Sequence, residues 1–235
     1  MKILSKRLPR LDEDDRLLPV LRGITSFDII SDSMGHSTSN CKLSANEVDK
    51  ATVHFPLCMS SLHRKIRQDS HIKYGGRQQY GLFLKSIGLP LDEALVFWKR
   101  AFSAKYSDDQ FQKNYSYNVR HNYGQEGKRA NYSCYTCHRI ISNAPGPGDN
   151  HGCPYRHSSI DSLAMQLSNY SFNGNNLNQM QINDVLTLVQ NGHYQLACTK
   201  AFEFSRKIDV PMEPFISPVQ FYEKSVERLK AMNGK

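Results

Sequence analysis

The chain has 235 residues, 39% hydrophobic and 22% charged, which is enough apolar material for one buried domain or two small ones. No apolar run approaches the ~18–20 residues needed to span a bilayer, and the opening Met1-Lys2-Ile3-Leu4-Ser5-Lys6-Arg7 lacks the apolar stretch of a secretory signal. Six cysteines in a chain expected in a reducing, cytosolic or nuclear compartment point to metal or cluster binding rather than to a disulfide framework. The net charge is +8 and concentrated: residues 61–139 hold 14 Lys/Arg against 6 Asp/Glu, while residues 1–60 and 140–235 each balance 8 against 8. A basic window is often only a solvated face. This one is also rich in aromatics, which favours a polyanion partner, nucleic acid above membrane.

In chain order, residues 1–32 read as weakly helical, with Leu17, Leu18, Val20 and Leu21 as a short apolar patch. The Ser- and Asn-rich stretch from Ser31 to Ser44 reads as a linker, and Cys41 within it as a free thiol. The expected division is a tail and linker at 1–42, a main domain at 43–210 and a C-terminal helix or tail at 211–235. From Cys58 to Ile72, Met59, Leu62 and Ile66 recur at helical spacing, and Gly75-Gly76 is expected to break that helix. A second helix follows over Gln78–Ile87, stopped by Gly88 and Pro90. A third starts at Leu91, with Asp92 and Glu93 at its N-terminus and Leu95, Trp98 and Phe102 on one face, so Trp98 is expected in the core.

Loops or a small hairpin are expected between Tyr115 and Cys137, and a plain loop over Asn143–Asp149. Helical patterns resume over Ser158–Tyr170, continue with Ile182, Val185, Leu186 and Val189 up to Asn191-Gly192, and again over His193–Ile208, which carries Cys198. Ser217-Pro218 reads as an N-cap followed by a proline at the first helical position of a last helix. Nothing alternates with a period of two, so the fold class is mainly α.

Cys134-Tyr135-Thr136-Cys137 is a CxxC that alone suggests half a zinc knuckle or a redox pair, yet no second CxxC or HxxxH completes a local site. Cys58 opens a helix, Cys153 sits in His151-Gly152-Cys153-Pro154, and Cys198 is mid-helix. Each alone reads equally as a buried structural thiol. By themselves, four such scattered thiols admit a four-cysteine site without requiring one, and zinc and an iron–sulfur cluster would both accept it.

Longer motifs add to this reading. Pro56-Leu57-Cys58-Met59, Gly75-Gly76-Arg77-Gln78-Gln79-Tyr80-Gly81, Tyr115-Ser116-Tyr117-Asn118-Val119-Arg120-His121, Gly124-Gln125-Glu126-Gly127-Lys128-Arg129, His151-Gly152-Cys153-Pro154 and His193-Tyr194-Gln195-Leu196-Ala197-Cys198 follow one another over roughly residues 43–205. In this order they resemble the C-terminal iron–sulfur domain of the eukaryotic DNA primase large subunit. The resemblance implies two packed helical halves joined by a [4Fe–4S] cluster, held by Cys58, Cys137, Cys153 and Cys198. Cys134 is a competing ligand for Cys137, which is preferred because the following His138-Arg139-Ile140-Ile141-Ser142 matches the family's run after its cysteine. The resemblance further implies a nuclear protein of DNA replication that works with the catalytic small subunit and DNA polymerase alpha. The family's N-terminal docking domain would be almost wholly missing from this chain.

Lys73, Tyr74, Arg77, Tyr80, Lys85, Tyr115, Tyr117, Asn118, Arg120, His121, Lys128 and Arg129 form the expected nucleic-acid surface. Cations neutralise phosphates, and tyrosines and His121 stack on unpaired bases. By resemblance, Arg77, Tyr74, Tyr117 and Asn118 hold a DNA template with the 5′-triphosphate end of its RNA primer. Tyr80, Tyr115 and Tyr117 also read as packing residues, and Lys85 as a solvated helix lysine. No Asp-x-Asp lies at a plausible strand end; Asp12, Asp14 and Asp15 lie in a charged tail, and no phosphate-binding glycine loop occurs. The chain is therefore read as non-catalytic. The rival readings are a four-cysteine zinc module that binds nucleic acid and a redox-active electron-transfer protein.

Overall fold

The computed structural model describes residues 43–233, and its helices begin and end at identifiable sequence signals. A short α1 (Val48–Ala51) runs into a 3₁₀ turn at Thr52–His54. Helix α2 (Leu57–Asp69) follows Pro56 and buries Leu57, Met59, Leu62, His63 and Ile66, the stripe that the spacing predicts. Helix α3 (Tyr74–Ser86) is nearly all buried from Gln78 to Leu84. Helix α4 (Leu91–Phe102) carries Asp92 and Glu93 in its first turn and Lys99 and Arg100 in its last, both favourable to the helix dipole, and it buries Phe97, Trp98 and Phe102. A Ser107–Gln110 capping box starts α5 (Asp108–Phe111), which continues through a π-helical turn at Gln112–Ser116 into α6 (Tyr117–Asn122). Then come α7 (Cys137–Ser142), α8 (Pro154–His157), α9 (Ile160–Ser168), strands β1 (Ser171–Phe172) and β2 (Asn175–Asn176), α10 (Gln179–Gln190), α11 (Tyr194–Arg206) and α12 (Pro218–Asn233).

The mainly α expectation holds among the described residues, where the sheet is a single antiparallel pair. Three local expectations are corrected. Gly75 and Gly76 lie inside α3 rather than breaking a helix. They are there for close packing: a Cβ on Gly75 would meet His151 Nδ1 at 2.6 Å, and one on Gly76 would meet Ile72 Cδ1 at 2.5 Å. The start of the 115–137 stretch is helical, because Tyr115 and Val119 turn toward the core at helical spacing. The hairpin lies instead at 171–176, where Asn173 (φ 50) and Gly174 (φ 75) supply the left-handed pair of a tight turn. The readings of residues 1–42, including Cys41, fall outside the described residues.

A continuous hydrophobic core runs from Ala45 to Val219. The α2–α4 group and the α9–α11 group therefore share apolar packing and do not depend on a metal alone to hold together. Residues beyond 210 are not a loose tail. Phe215, Val219, Phe221 and Ser225 are buried, Ser217 Oγ caps α12 by accepting from Gln220 N (3.2 Å), and Ile216 O accepts from Cys137 N (2.8 Å).

Candidate metal centre and nucleic-acid interface

Four separate segments deliver Cys58, Cys137, Cys153 and Cys198 to one small cavity, walled by Pro56, Ile140, Tyr155, Phe215 and Phe221. Three of these cysteines stand at helix starts: Cys58 at the second residue of α2, Cys137 at the first of α7, and Cys153 as the cap before α8. Helix N-termini favour negative charge, so the backbone itself suits thiolates here. Thr136 Oγ1 caps α7 by accepting from Arg139 N (3.3 Å), which sets the position of Cys137. Gln79, buried in α3, grips the backbone of Gly152: Gly152 N donates to its Oε1 (2.9 Å) and its Nε2 donates to Gly152 O (3.3 Å). That clamp fixes Cys153, the next residue. Cys134 lines a different cleft.

Burial pushes all four thiols up. Cys153 rises to about 11 although backbone N–H groups of Tyr155 and Arg156 oppose the shift. Cys58, Cys137 and Cys198 rise further, through burial first and then through repulsion from the other cysteines. Four thiols gathered in an apolar hole ionise together only against a strong local positive charge. A metal ion or a cationic inorganic core would supply that, and either suits an all-sulfur donor set. No three of the described His, Cys, Asp or Glu residues are spaced to hold a single metal ion.

The basic, aromatic stretch divides into exposed and structural members. Tyr74 (61% exposed) and Tyr117 (51% exposed) stand out from α3 and α6, and Asn118 is half-buried beside Tyr117. Arg77 donates from Nη1 to Ile72 O (2.7 Å), and its guanidinium lies over the Tyr115 ring at 5.0 Å and the Tyr74 ring at 5.8 Å. Its Nε is buried without a partner. Lys73 caps α3 and reaches the 147–149 loop through Pro147 O (2.8 Å) and Asp149 (3.6 Å). His121 stacks on Tyr132 at 4.8 Å and lies 6.1 Å from Tyr117, which makes a short ladder of rings. Gly127 (φ +61) turns the chain closely over that ladder, where a Cβ would lie 3.2 Å from His121 and 3.5 Å from the Tyr117 hydroxyl. Lys128 and Arg129, which follow that glycine directly, are exposed.

Four of the expected residues have partners within the domain. Tyr80 is fully buried, and its hydroxyl donates to His63 Nδ1 (2.7 Å), so its ring cannot stack on a base. Tyr115 packs on Phe102 and Tyr106 (4.9 and 5.0 Å) and acts only as the floor beneath Arg77. Lys85 Nζ donates to Asn122 O, Asn131 Oδ1 and Tyr132 O (2.8, 2.6 and 2.8 Å), and burial pulls its ammonium down to about 8. Arg120 is paired with Glu126 Oε1 at 2.7 Å.

Sequence reasoning missed the cleft beside the ring ladder. It holds about 1100 Å³ of atom-free space between α3, α6 and the 132–136 segment, and Tyr74, Gln78, His121, Tyr132, Tyr135 and Arg139 line it. The Arg139 guanidinium lies 3.9 Å from the Tyr135 ring centre. The available signal was Tyr132, Tyr135 and Arg139 spaced three and four apart around the CxxC.

The model of the family described as the C-terminal domain of the eukaryotic and archaeal DNA primase large subunit matches residues 49–222. A probable DNA primase large subunit of Arabidopsis thaliana is 43% identical over 93% of this chain and 47% of its own length. The DNA primase large subunit of Schizosaccharomyces pombe is 41% identical over 95% of the chain and 48% of its own length, and that of Homo sapiens 39% over 100% and 45%. The chain thus spans a little under half the length of these relatives. By the extent of the family match and the level of identity, the chain belongs to the family of C-terminal domains of DNA primase large subunits.

Proposed function

We propose that this domain serves DNA priming by gripping the junction between a DNA template and its RNA primer, with the primer's 5′-triphosphate as a specific contact. The observation that carries the reading is the cleft lined by Tyr74, His121, Tyr132, Tyr135 and Arg139, set in the basic third of the chain. Stacked rings accept unpaired bases of any sequence, and the cations around them attract phosphate. Arg77, half-buried on the Tyr115 and Tyr74 rings, would bring a positioned positive charge to a triphosphate beside Tyr74. The domain would support initiation and limit primer length, while nucleotidyl transfer would fall to the small catalytic subunit in a complex with polymerase alpha. Fluorescence anisotropy with a 5′-triphosphate RNA–DNA junction and its 5′-hydroxyl counterpart tests this. Equal affinity for the two would refute the triphosphate contact.

We further propose that Cys58, Cys137, Cys153 and Cys198 hold a [4Fe–4S] cluster. When bound, the cluster would supply the positive core that ionises the buried thiols and would cross-link four distant segments, where closing long loops constrains the unfolded chain most. Iron and sulfide content after anaerobic purification tests this, with Cys134→Ser and Cys137→Ser made separately. Iron should be lost only with Cys137→Ser, and loss only with Cys134→Ser would overturn the assignment.

A further inference from the structure

Arg206 ends α11, the helix that carries Cys198, and is only 1% exposed. Its Nη1 donates to the Tyr170 hydroxyl (3.0 Å) and Ser205 Oγ (2.7 Å), while Nε and Nη2 donate to Ser225 Oγ (3.2 and 2.8 Å). The rings of Phe172, Phe202, Phe221 and Tyr170 surround it, with centres 4.2, 4.4, 4.9 and 5.7 Å from Cζ. Every acceptor is a neutral hydroxyl. Among the described residues no carboxylate forms an ion pair with it; Glu203, the buried carboxylate on the same helix, is taken up by Lys200 (3.0 Å) and the Met212 amide (2.7 Å). His54, which meets Ser225 Oγ at 2.9 Å, is held neutral by burial and by the neighbouring guanidinium, at about 4. Among the described residues the pocket thus contains one whole positive charge with no counter-ion, an arrangement that costs free energy wherever it stands alone.

Among the described residues, the nearest group of atoms that could carry the opposite charge is the cysteine cluster. Phe221 touches the guanidinium on one side and lines the cysteine cavity on the other. Phe202, Phe215 and Phe221 pack on one another at 4.8–5.0 Å, and Cys198 and Tyr170 both pack against this trio. A single layer of rings separates the cation from the sulfurs. An aromatic layer screens a charge far less than water would.

We propose that Arg206 is the internal counter-charge of the cysteine centre and sets the reduction potential of the cluster held there; this rests on the cluster reading above. A 2+ core with four thiolates carries a net charge of −2, and gain of one electron makes it −3. A fixed cation nearby favours both states and the −3 state more, so it raises the potential.

The test uses the full chain purified without oxygen, as wild type, Arg206→Met, Arg206→Lys and Ser225→Asp. Iron and sulfide are counted, and the midpoint potential is read by optical titration at fixed pH with dithionite as electron donor. Arg206→Met, which removes the charge, and Ser225→Asp, which places a carboxylate against it, should each shift the potential to more negative values at unchanged iron content. Arg206→Lys, which keeps the charge, should stay near wild type. Potentials unchanged in both Arg206→Met and Ser225→Asp would overturn the proposal, as would an Arg206→Lys shift equal to that of Arg206→Met. Should Arg206→Met fail to fold, Ser225→Asp decides alone. Wild-type protein without iron and sulfide would bring down the cluster reading itself, a result distinct from an unmoved potential.

Discussion

Lys85 illustrates how a basic residue in a basic surface can serve the fold instead of the ligand. Its ammonium ties three points together: Asn122 O at the end of α6, Asn131 Oδ1 and Tyr132 O. Lys85→Met keeps the stem and removes all three bonds. At about 1.5 kcal/mol each, the low end for a charged donor, they contribute roughly 4–5 kcal/mol. The burial that lowers the ammonium to about 8 takes back about 1–2 kcal/mol, after discounting for a group that is only half buried. The net loss is about 3 kcal/mol, or roughly 6–12 °C in Tm for a chain of this size. The same variant releases Tyr132 and should weaken junction binding, but with no change in its salt dependence, since no phosphate contact is lost. Lys128→Ala, by contrast, should lower the slope of log K against log[salt] by ~0.7–0.9 with little effect on Tm. Thermal melts and anisotropy at several salt concentrations read both quantities. An unchanged Tm for Lys85→Met together with a slope reduced by about one phosphate would refute the clamp.

Tyr80→Phe leaves His63 Nδ1 without its partner and should cost about 1–2 kcal/mol in denaturant unfolding at unchanged junction affinity; weaker binding at unchanged stability would return Tyr80 to the interface. His121→Ala and Tyr132→Ala should each weaken binding to a junction with a single-stranded overhang by about 1–3 kcal/mol and act non-additively, because the two rings stack on each other. His54 takes up a proton at about 6.5 when unfolded and only at about 4 when folded, so between these values the unfolded chain holds more protons. The stability that its neutral form contributes is full above about pH 6.5 and falls as the pH drops toward 4, by on the order of 2 kcal/mol after discounting for screening. His54→Asn should flatten that part of the stability–pH curve, and an identical slope in wild type and variant would disprove it.

Much of this protein was legible without its structure because it depends on local chemistry. The apolar stripe of α2, the dipole-matched ends of α4 and the Ser217-Pro218 start of α12 each lie within a few residues of the chain. The concentration of charge in residues 61–139 is a property of composition. What only the tertiary structure decided is which side chains of one type meet solvent. Tyr74, Tyr80, Tyr115 and Tyr117 have the same chemistry, yet two are exposed and two are buried, through partners such as His63 and Phe102 that lie 13–17 residues away. The two glycines before Arg77 look like a helix break until His151, distant in sequence, is seen to need the missing side chain of Gly75, and Ile72 that of Gly76. Cys134 and Cys137 differ by three positions in sequence, but a capped helix start places one in the cavity with the other three thiols and leaves its neighbour in the adjacent cleft. Local pattern determines which elements form. Long-range packing determines which faces they hide, and at this site the hidden face holds the cysteines while the remaining face holds the rings and cations.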